Sequence, residues 1–348
     1  MAASFADTAL FALTAACTVF FKRSTDAAAT EDVAPAEADC SAVLNSAFVF
    51  VKPHANTKAT QDMVRQKLVD AGITITSESD ISGTTIDEKK LIDQHYYAIA
   101  SKATILSAKD IPVPADKFES EFGEKWETVL AEGRACNAME ACAKFETDSD
   151  GLNAAWKKAK KVVKFGGGFY CGLVSVGEKG PLYVFNAFFM SMRSAFVGED
   201  KSIHCFVVEW DPKVLAWEDF RGKLLGPTDP AEAPEGSIRK TILDTYKELG
   251  LTSVPNKGDN GVHASASPFE GLAEKTNWLS STIAEDAFGK ALLDAGLSEE
   301  TIEEWSVDPR VEQPEGGKGS VFDALEDMDA ADCLAKLVEL NKINADQI

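Results

Sequence analysis

The seven cysteines of this chain include no C-x-x-C pair. Cys17, Cys40, Cys136, Cys142, Cys171, Cys205 and Cys333 are odd in number and scattered, which argues against a disulfide framework and against a zinc site, since both need close, repeated spacing. They read as reduced thiols, and a reducing compartment such as the cytoplasm suits a soluble chain of this kind. Cationic residues are also in short supply: 35 Lys and Arg stand against 56 Asp and Glu, a formal net charge of −21. A field of that sign repels nucleic acid and anionic membrane, so neither is expected as the main partner, and any anionic substrate must be gathered by a local basic patch. No internal repeat is visible. Nor is there a comfortable membrane span: the apolar run 9–21 is too short and lacks the basic start of a secretory signal, although Lys22 and Arg23 follow it. A signal anchor or targeting peptide stays open there. Residues 24–39, rich in Ala, Asp and Glu, have almost nothing to bury and read as a flexible acidic spacer, so that 1–44 stands apart from the folded part.

What is present is a real core, because 45% of the 348 residues are hydrophobic. The length fits either one enlarged domain with insertions or two packed domains. From Asn45 the pattern turns to the apolar run 46–52, suited to a buried strand that Pro53 ends. Thr57 can cap a helix with apolar positions at Ala59, Met63, Val64, Leu68 and Ala71, stopped by Gly72. A second strand is expected at 73–76 and a helix over 85–102. The stretch 105–201 behaves differently: a Pro-bearing linker, a helix over 118–131, the basic run 157–161, a triple glycine at 166–168, and strands at 169–176 and 182–190 joined by a turn at 177–180. The glycines could cradle phosphate, but no G-K-[ST] follows, and a bulge leading into a strand is the better reading. The basic run could draw in an anionic ligand or an acidic partner, but reads more simply as a solvated helix face. A strand follows at 203–210, a short helix at 217–225, a loop at 226–236, a helix over 239–250, and a short strand at 260–263 with a helix from Pro268. This order suits an α+β fold with a ferredoxin-like antiparallel sheet and its helices in one layer. The end, 283–348, reads as a helical extension with helices near 287–295 and 321–340.

Four stretches resemble the nucleoside diphosphate kinase family, in the family's order. Gly226-Pro227-Thr228-Asp229-Pro230-Ala231 through Pro234-Glu235-Gly236-Ser237-Ile238-Arg239 is similar to its G-x-T-[ND]-P-A…P-G-[ST]-I-R loop. Asn260-Gly261-Val262-His263-Ala264-Ser265-Ala266-Ser267 resembles its N-x-[IV]-H-G-S-[DE]-[SA] strand. Phe48 through Pro53 resembles its first strand ending in V-K-P, and Gln94-His95-Tyr96 its H-Y pair. The resemblance implies a domain split into 45–104 and 202–282, an α/β insertion over 105–201, and an extension over 283–348. It further implies a phosphotransferase that moves the terminal phosphate of a nucleoside triphosphate to a nucleoside diphosphate through a phosphohistidine at His263. Lys52 and Arg239 match the phosphate-binding positions, Thr228 a hydroxyl donor, Asn260 a sugar-contacting amide, and Tyr96 a ring beside the phosphates. Glu274 occupies the place of the glutamate that orients the histidine. Mg2+ is implied with the nucleotide, and so is a homo-oligomer, whose contacts the insertion and the tail could block.

The chemistry of the residues agrees with that resemblance. A neutral imidazole can take a phosphoryl group on one nitrogen and pass it on, provided an acceptor holds the other nitrogen's proton. Departures favour the alternative of an impaired nucleotide-binding or scaffold protein. The family's arginine four residues before the loop glycine would fall on Gly222, so Arg221 fills the role only with a shift. Ala264, Ala266 and His54 replace a glycine and two acids, and the base-stacking phenylalanine falls at Thr104.

Overall fold

The computed structural model describes residues 43–345. The apolar run 9–21 and the acidic spacer 24–39 lie outside the described residues. The fold is α+β: antiparallel sheets with helices packed against them.

The first sheet is built from β1 Asn45–Val51, β2 Thr74–Ser82, β7 Ser202–Trp210 and β8 Val262–Ala264, in the order β2-β7-β1-β8. Every neighbouring pair is antiparallel, and Phe50 lies opposite both Cys205 and His263. All of β1 is buried, which the helices explain because they cover both faces and not one layer as the sequence suggested. Ala47, Val49 and Val51 meet the helices Lys58–Asp70 and Ile238–Asp244, while Phe48 and Phe50 on the alternate face meet Ile92 and Trp278. A strand covered on both sides carries no polar alternation, hence the unbroken apolar run. Thr57 caps its helix by accepting from the Thr60 N–H, and Gly72 leaves it at φ +79°.

Several expected elements differ. The strand expected at 73–76 runs on to Ser82, because its side chains Glu78, Ser79 and Asp80 lie along a polar edge that supplies no apolar signal. The single helix over 85–102 is three short helices, Gly83–Glu88, Leu91–His95 and Tyr97–Ala100, broken at Lys90 with φ +54°. The strand over 182–190 ends at Phe185, and Phe188–Ser194 is a helix after the left-handed Asn186. The helix at 118–131 is two, Ala115–Phe122 and Trp126–Ala131, parted by Gly123.

Residues 135–185 build the second sheet from β3 Ala135–Asn137, β4 Val162–Gly166, β5 Phe169–Val174 and β6 Leu182–Phe185, in the order β3-β6-β5-β4. Only β3 and β6 run parallel, and the β4–β5 register slips between Lys164 and Gly166. The helix Phe188–Ser194 that follows this sheet is tied to the helix Leu91–His95 by a buried pair, Arg193 Nε to the two Asp93 carboxylate oxygens at 3.1 and 2.9 Å. The C-terminal part holds the helices Ala287–Asp294, Glu299–Trp305 and Ala330–Ala345. It differs from the expectation in that 321–329 is irregular and a hairpin, β9 Arg310–Glu312 with β10 Lys318–Ser320, precedes it.

Candidate functional site

The position of His263 comes directly from the strand alternation. Val262 and Ala264 point into the core beneath the helix Lys58–Asp70, so His263 must point to the other face, where its ring stacks on Phe50 at 4.8 Å between centroids. Lys52 continues the parity of Phe50, and its backbone N–H donates to the Gly261 carbonyl at 2.8 Å. The helix Pro268–Leu279 starts with Ser267 as its cap and presses close to β1: a Cβ on Gly271 would sit 2.7 Å from the Ser46 carbonyl oxygen. That close approach brings Glu274 under the imidazole, where its Oε1 lies 2.5 Å from His263 Nε2.

The carboxyl is held at its other end too. Glu274 Oε2 lies 2.5 Å from Ser265 Oγ, which in turn accepts from the Phe48 N–H at 2.8 Å. His95 Nδ1 lies 3.3 Å from Glu274 Oε1, and its ring meets that of His263 edge-on at 4.7 Å. Burial, and then His263, hold His95 down to about 3, so this contact is not an ion pair. Glu270 is the second carboxyl of the helix, accepting from the Ala266 N–H at 2.8 Å. Burial raises both Glu270 and Glu274 above the ordinary carboxylate range, Glu270 further through the charge of Glu274.

Positive charge converges on the same ring. His263 is held well below its usual value by burial and by Lys52, Arg239 and Arg221, so it is neutral at pH 7 with Nδ1 free of the Glu274 bond. Lys52 is pushed down to about 8, by burial first and by Arg239 second, with Asp259 opposing. Arg239 falls to about 10 through burial and Arg221. Its guanidinium is fixed by donating to the Gly226 carbonyl at 2.8 Å and to the Val262 carbonyl at 3.0 and 3.2 Å, which ties the loop to the strand that bears His263. Tyr96 is half-buried, and its hydroxyl is raised to about 12, by desolvation and then by Glu274 and Glu270.

Asn260 is 2% exposed; its Nδ2 donates to the Thr228 carbonyl at 3.0 Å, and its Oδ1 is buried without a partner among the described residues. Thr228 is exposed, and among the described residues its contribution is that backbone carbonyl, not a hydroxyl contact. Thr104 is taken up elsewhere, donating to Asp93 at 2.5 Å. Residues Phe220–Leu225 form a π-helical turn, closed by the Gly226 N–H on the Arg221 carbonyl at 3.0 Å. Arg221 Nη1 donates to Glu326 at 2.7 Å and to Asp327 at 2.8 Å.

Sequence reasoning missed His95, Ser265, Glu270 and Phe50 as parts of this cluster. Ser265 was legible as the residue two beyond His263, on the same strand face, and Glu270 as one turn before Glu274; His95 stood in the H-Y pair of the resemblance without a role of its own. Among the described residues the His95, His263 and Glu274 group is the one whose ligand atoms lie within 4.8 Å of one another. Two imidazoles suit a transition metal and not Mg2+, which takes oxygen ligands.

No family model matches the chain, and no curated protein is significantly similar to it. Solved structures are. The nucleoside diphosphate kinase of Encephalitozoon cuniculi is 14% identical over 68% of this chain and 90% of its own, with a TM-score of 0.34. That of Aquifex aeolicus is also 14% identical, over 68% and 94%, at 0.34. An NDP kinase from Pyrobaculum aerophilum is 16% identical over 68% and 96%, at 0.33. At such values the likeness is one of fold at most and assigns no role to any residue here.

Proposed function

We propose that this chain is a nucleoside-diphosphate-kinase-like phosphotransferase that passes the terminal phosphate of a nucleoside triphosphate to a nucleoside diphosphate through a phosphohistidine at His263. The observation that carries the reading is the held, neutral imidazole: Nε2 is engaged by Glu274 at 2.5 Å while the charges of Lys52, Arg239 and Arg221 reach the ring. Fixing the proton on Nε2 leaves the lone pair on Nδ1, where it can attack phosphorus in line as the diphosphate leaves. The three cations offset charge on the phosphoryl oxygens in that step and in its reversal onto the second acceptor. Asn260 Oδ1, buried without a partner among the described residues, is an acceptor that a sugar hydroxyl would satisfy. In this reading Mg2+ arrives with the nucleotide, bound between its phosphates. The domain is then ferredoxin-like, split between 45–104 and 202–282, with 105–201 as its insertion and 283–348 as its extension.

One observation favours the alternative of an impaired nucleotide-binding or scaffold protein. Thr104 is turned into a hydrogen bond with Asp93 and offers no ring on which a base could stack. Labelled ATP separates the two. The kinase reading expects acid-labile, alkali-stable phosphate that is absent in His263→Ala and is handed to an added diphosphate. A protein that takes no label in either form is not this enzyme.

A further inference from the structure

We propose that the acidic turn at Glu326 and Asp327 is an autoinhibitory strap, which occupies Arg221 and competes with phosphate for it. The proposal rests on the phosphate-cradle reading of the site.

The strap is fastened on both sides of the cradle. Asp327, left-handed at φ +62°, donates its N–H to the carbonyl of Ala266, three residues beyond His263, at 2.9 Å. Asp329 Oδ1 accepts from the Trp217 N–H at 2.8 Å, at the start of the short helix that leads into Arg221, and from Asn45 Nδ2 at 2.7 Å. Between these fastenings the carboxylates of Glu326 and Asp327 both lie on one nitrogen, Arg221 Nη1. The pairing is lopsided, because Arg221 Nε is buried with no acceptor among the described residues. A guanidinium that has two acceptors on one nitrogen and none on another is poised between arrangements, and a phosphate offering several oxygens can satisfy the vacant donor. Glu326 and Asp327 are about half exposed, at 52% and 42%, so they can leave Arg221 without uncovering the core. Two carboxylates held there also lower the positive potential that a phosphate meets on arrival.

The test uses the full chain and two probes, MgATP and magnesium tripolyphosphate, with affinities measured by calorimetry in low salt. The combined variant Glu326→Gln with Asp327→Asn keeps shape, and Asn tolerates the left-handed backbone. It should bind both probes about three- to tenfold more tightly than the natural chain, the range expected on freeing a pair of exposed contacts. Glu326→Gln alone should give part of the gain, and the charge-matched control Glu178→Gln with Glu315→Gln none. Unchanged or weaker binding in the strap variants overturns the proposal. Labelling of His263 in the same samples separates the failures: label with unchanged affinity rejects the strap alone, whereas neither label nor binding rejects the cradle and the strap with it.

Discussion

Replacing Glu274 by glutamine should slow the chemistry and stabilise the protein above neutral pH, two effects that a merely structural glutamate would not combine. The amide oxygen of the new side chain can still accept from His263 Nε2, so the ring keeps its tautomer and its stacking on Phe50. What is lost is the charge. Glu274 carries that charge above its raised value of about 7; there a hydrogen bond to an ionised acceptor is worth about 1.5–3 kcal/mol against about 1 for a neutral one, so phosphohistidine formation should be about tenfold slower above about pH 8 and little changed below about pH 6. Glu274→Ala removes the acceptor from both His263 and Ser265 and should lose about 100-fold. The stability effect has the opposite sign. Burial raises Glu274 above its ordinary value of 4.5, so over the window between the two values the folded protein keeps a proton that the unfolded chain gives up. More protons bound in the folded state means stability that is complete below the ordinary carboxylate range and falls as pH rises, by up to about 1.4 kcal/mol per pH unit for each such group. Glu270 adds a second group of the same sign. The glutamine variant removes one of the two, so its denaturation midpoint should decline less between pH 5 and pH 8. Rapid-quench labelling with ATP and denaturant unfolding across that range measure both effects. Wild-type labelling rates in Glu274→Gln at alkaline pH, or an unchanged pH slope of stability, would refute the role given to this carboxylate.

Lys52 is charged below about 8 and loses its proton above it, so phosphate affinity should fall as pH rises through that value, by up to about tenfold per unit. In Lys52→Arg, MgATP affinity measured by calorimetry should fall less steeply through about pH 8, because the new guanidinium does not titrate there; an unchanged slope would refute the role given to Lys52. Asp93→Asn leaves the buried Arg193 with Asp87 as its one carboxylate partner and should lower stability by about 2 kcal/mol in denaturant unfolding; a loss under about 0.5 kcal/mol would remove that pair as the tie between the helices Leu91–His95 and Phe188–Ser194. Gly271→Ala places a Cβ 2.7 Å from the Ser46 carbonyl oxygen and should cost about 1–3 kcal/mol, with slower His263 labelling as the helix bearing Glu274 moves off β1.

The parts of this protein that sequence can and cannot reveal divide along a physical line. Phe48 to Lys52 and Asn260 to His263 were legible as strand runs that resemble a known family, and the structure pairs the two strands with Phe50 opposite and stacked on His263. The covering helices were less legible, since burial on both faces erases the polar alternation that would have told one layer from two. Breaks at Lys90 and Asn186 went unseen because a left-handed backbone at Lys or Asn leaves no glycine to mark it. Arg221 lies on the π-helical turn Phe220–Leu225, which no residue pattern marks, and its charge is among those that lower His263. What no local pattern carries is the meeting of distant pieces. His95 stands 168 positions before His263, and Glu326 stands 105 after Arg221. Yet the first sits against the candidate nucleophile's glutamate, and the second holds one of the cations that would face a phosphate. The electrostatics of the site are therefore set by chain closure as much as by motif, and variants at His95 and Glu326 test that more sharply than variants within the motifs themselves.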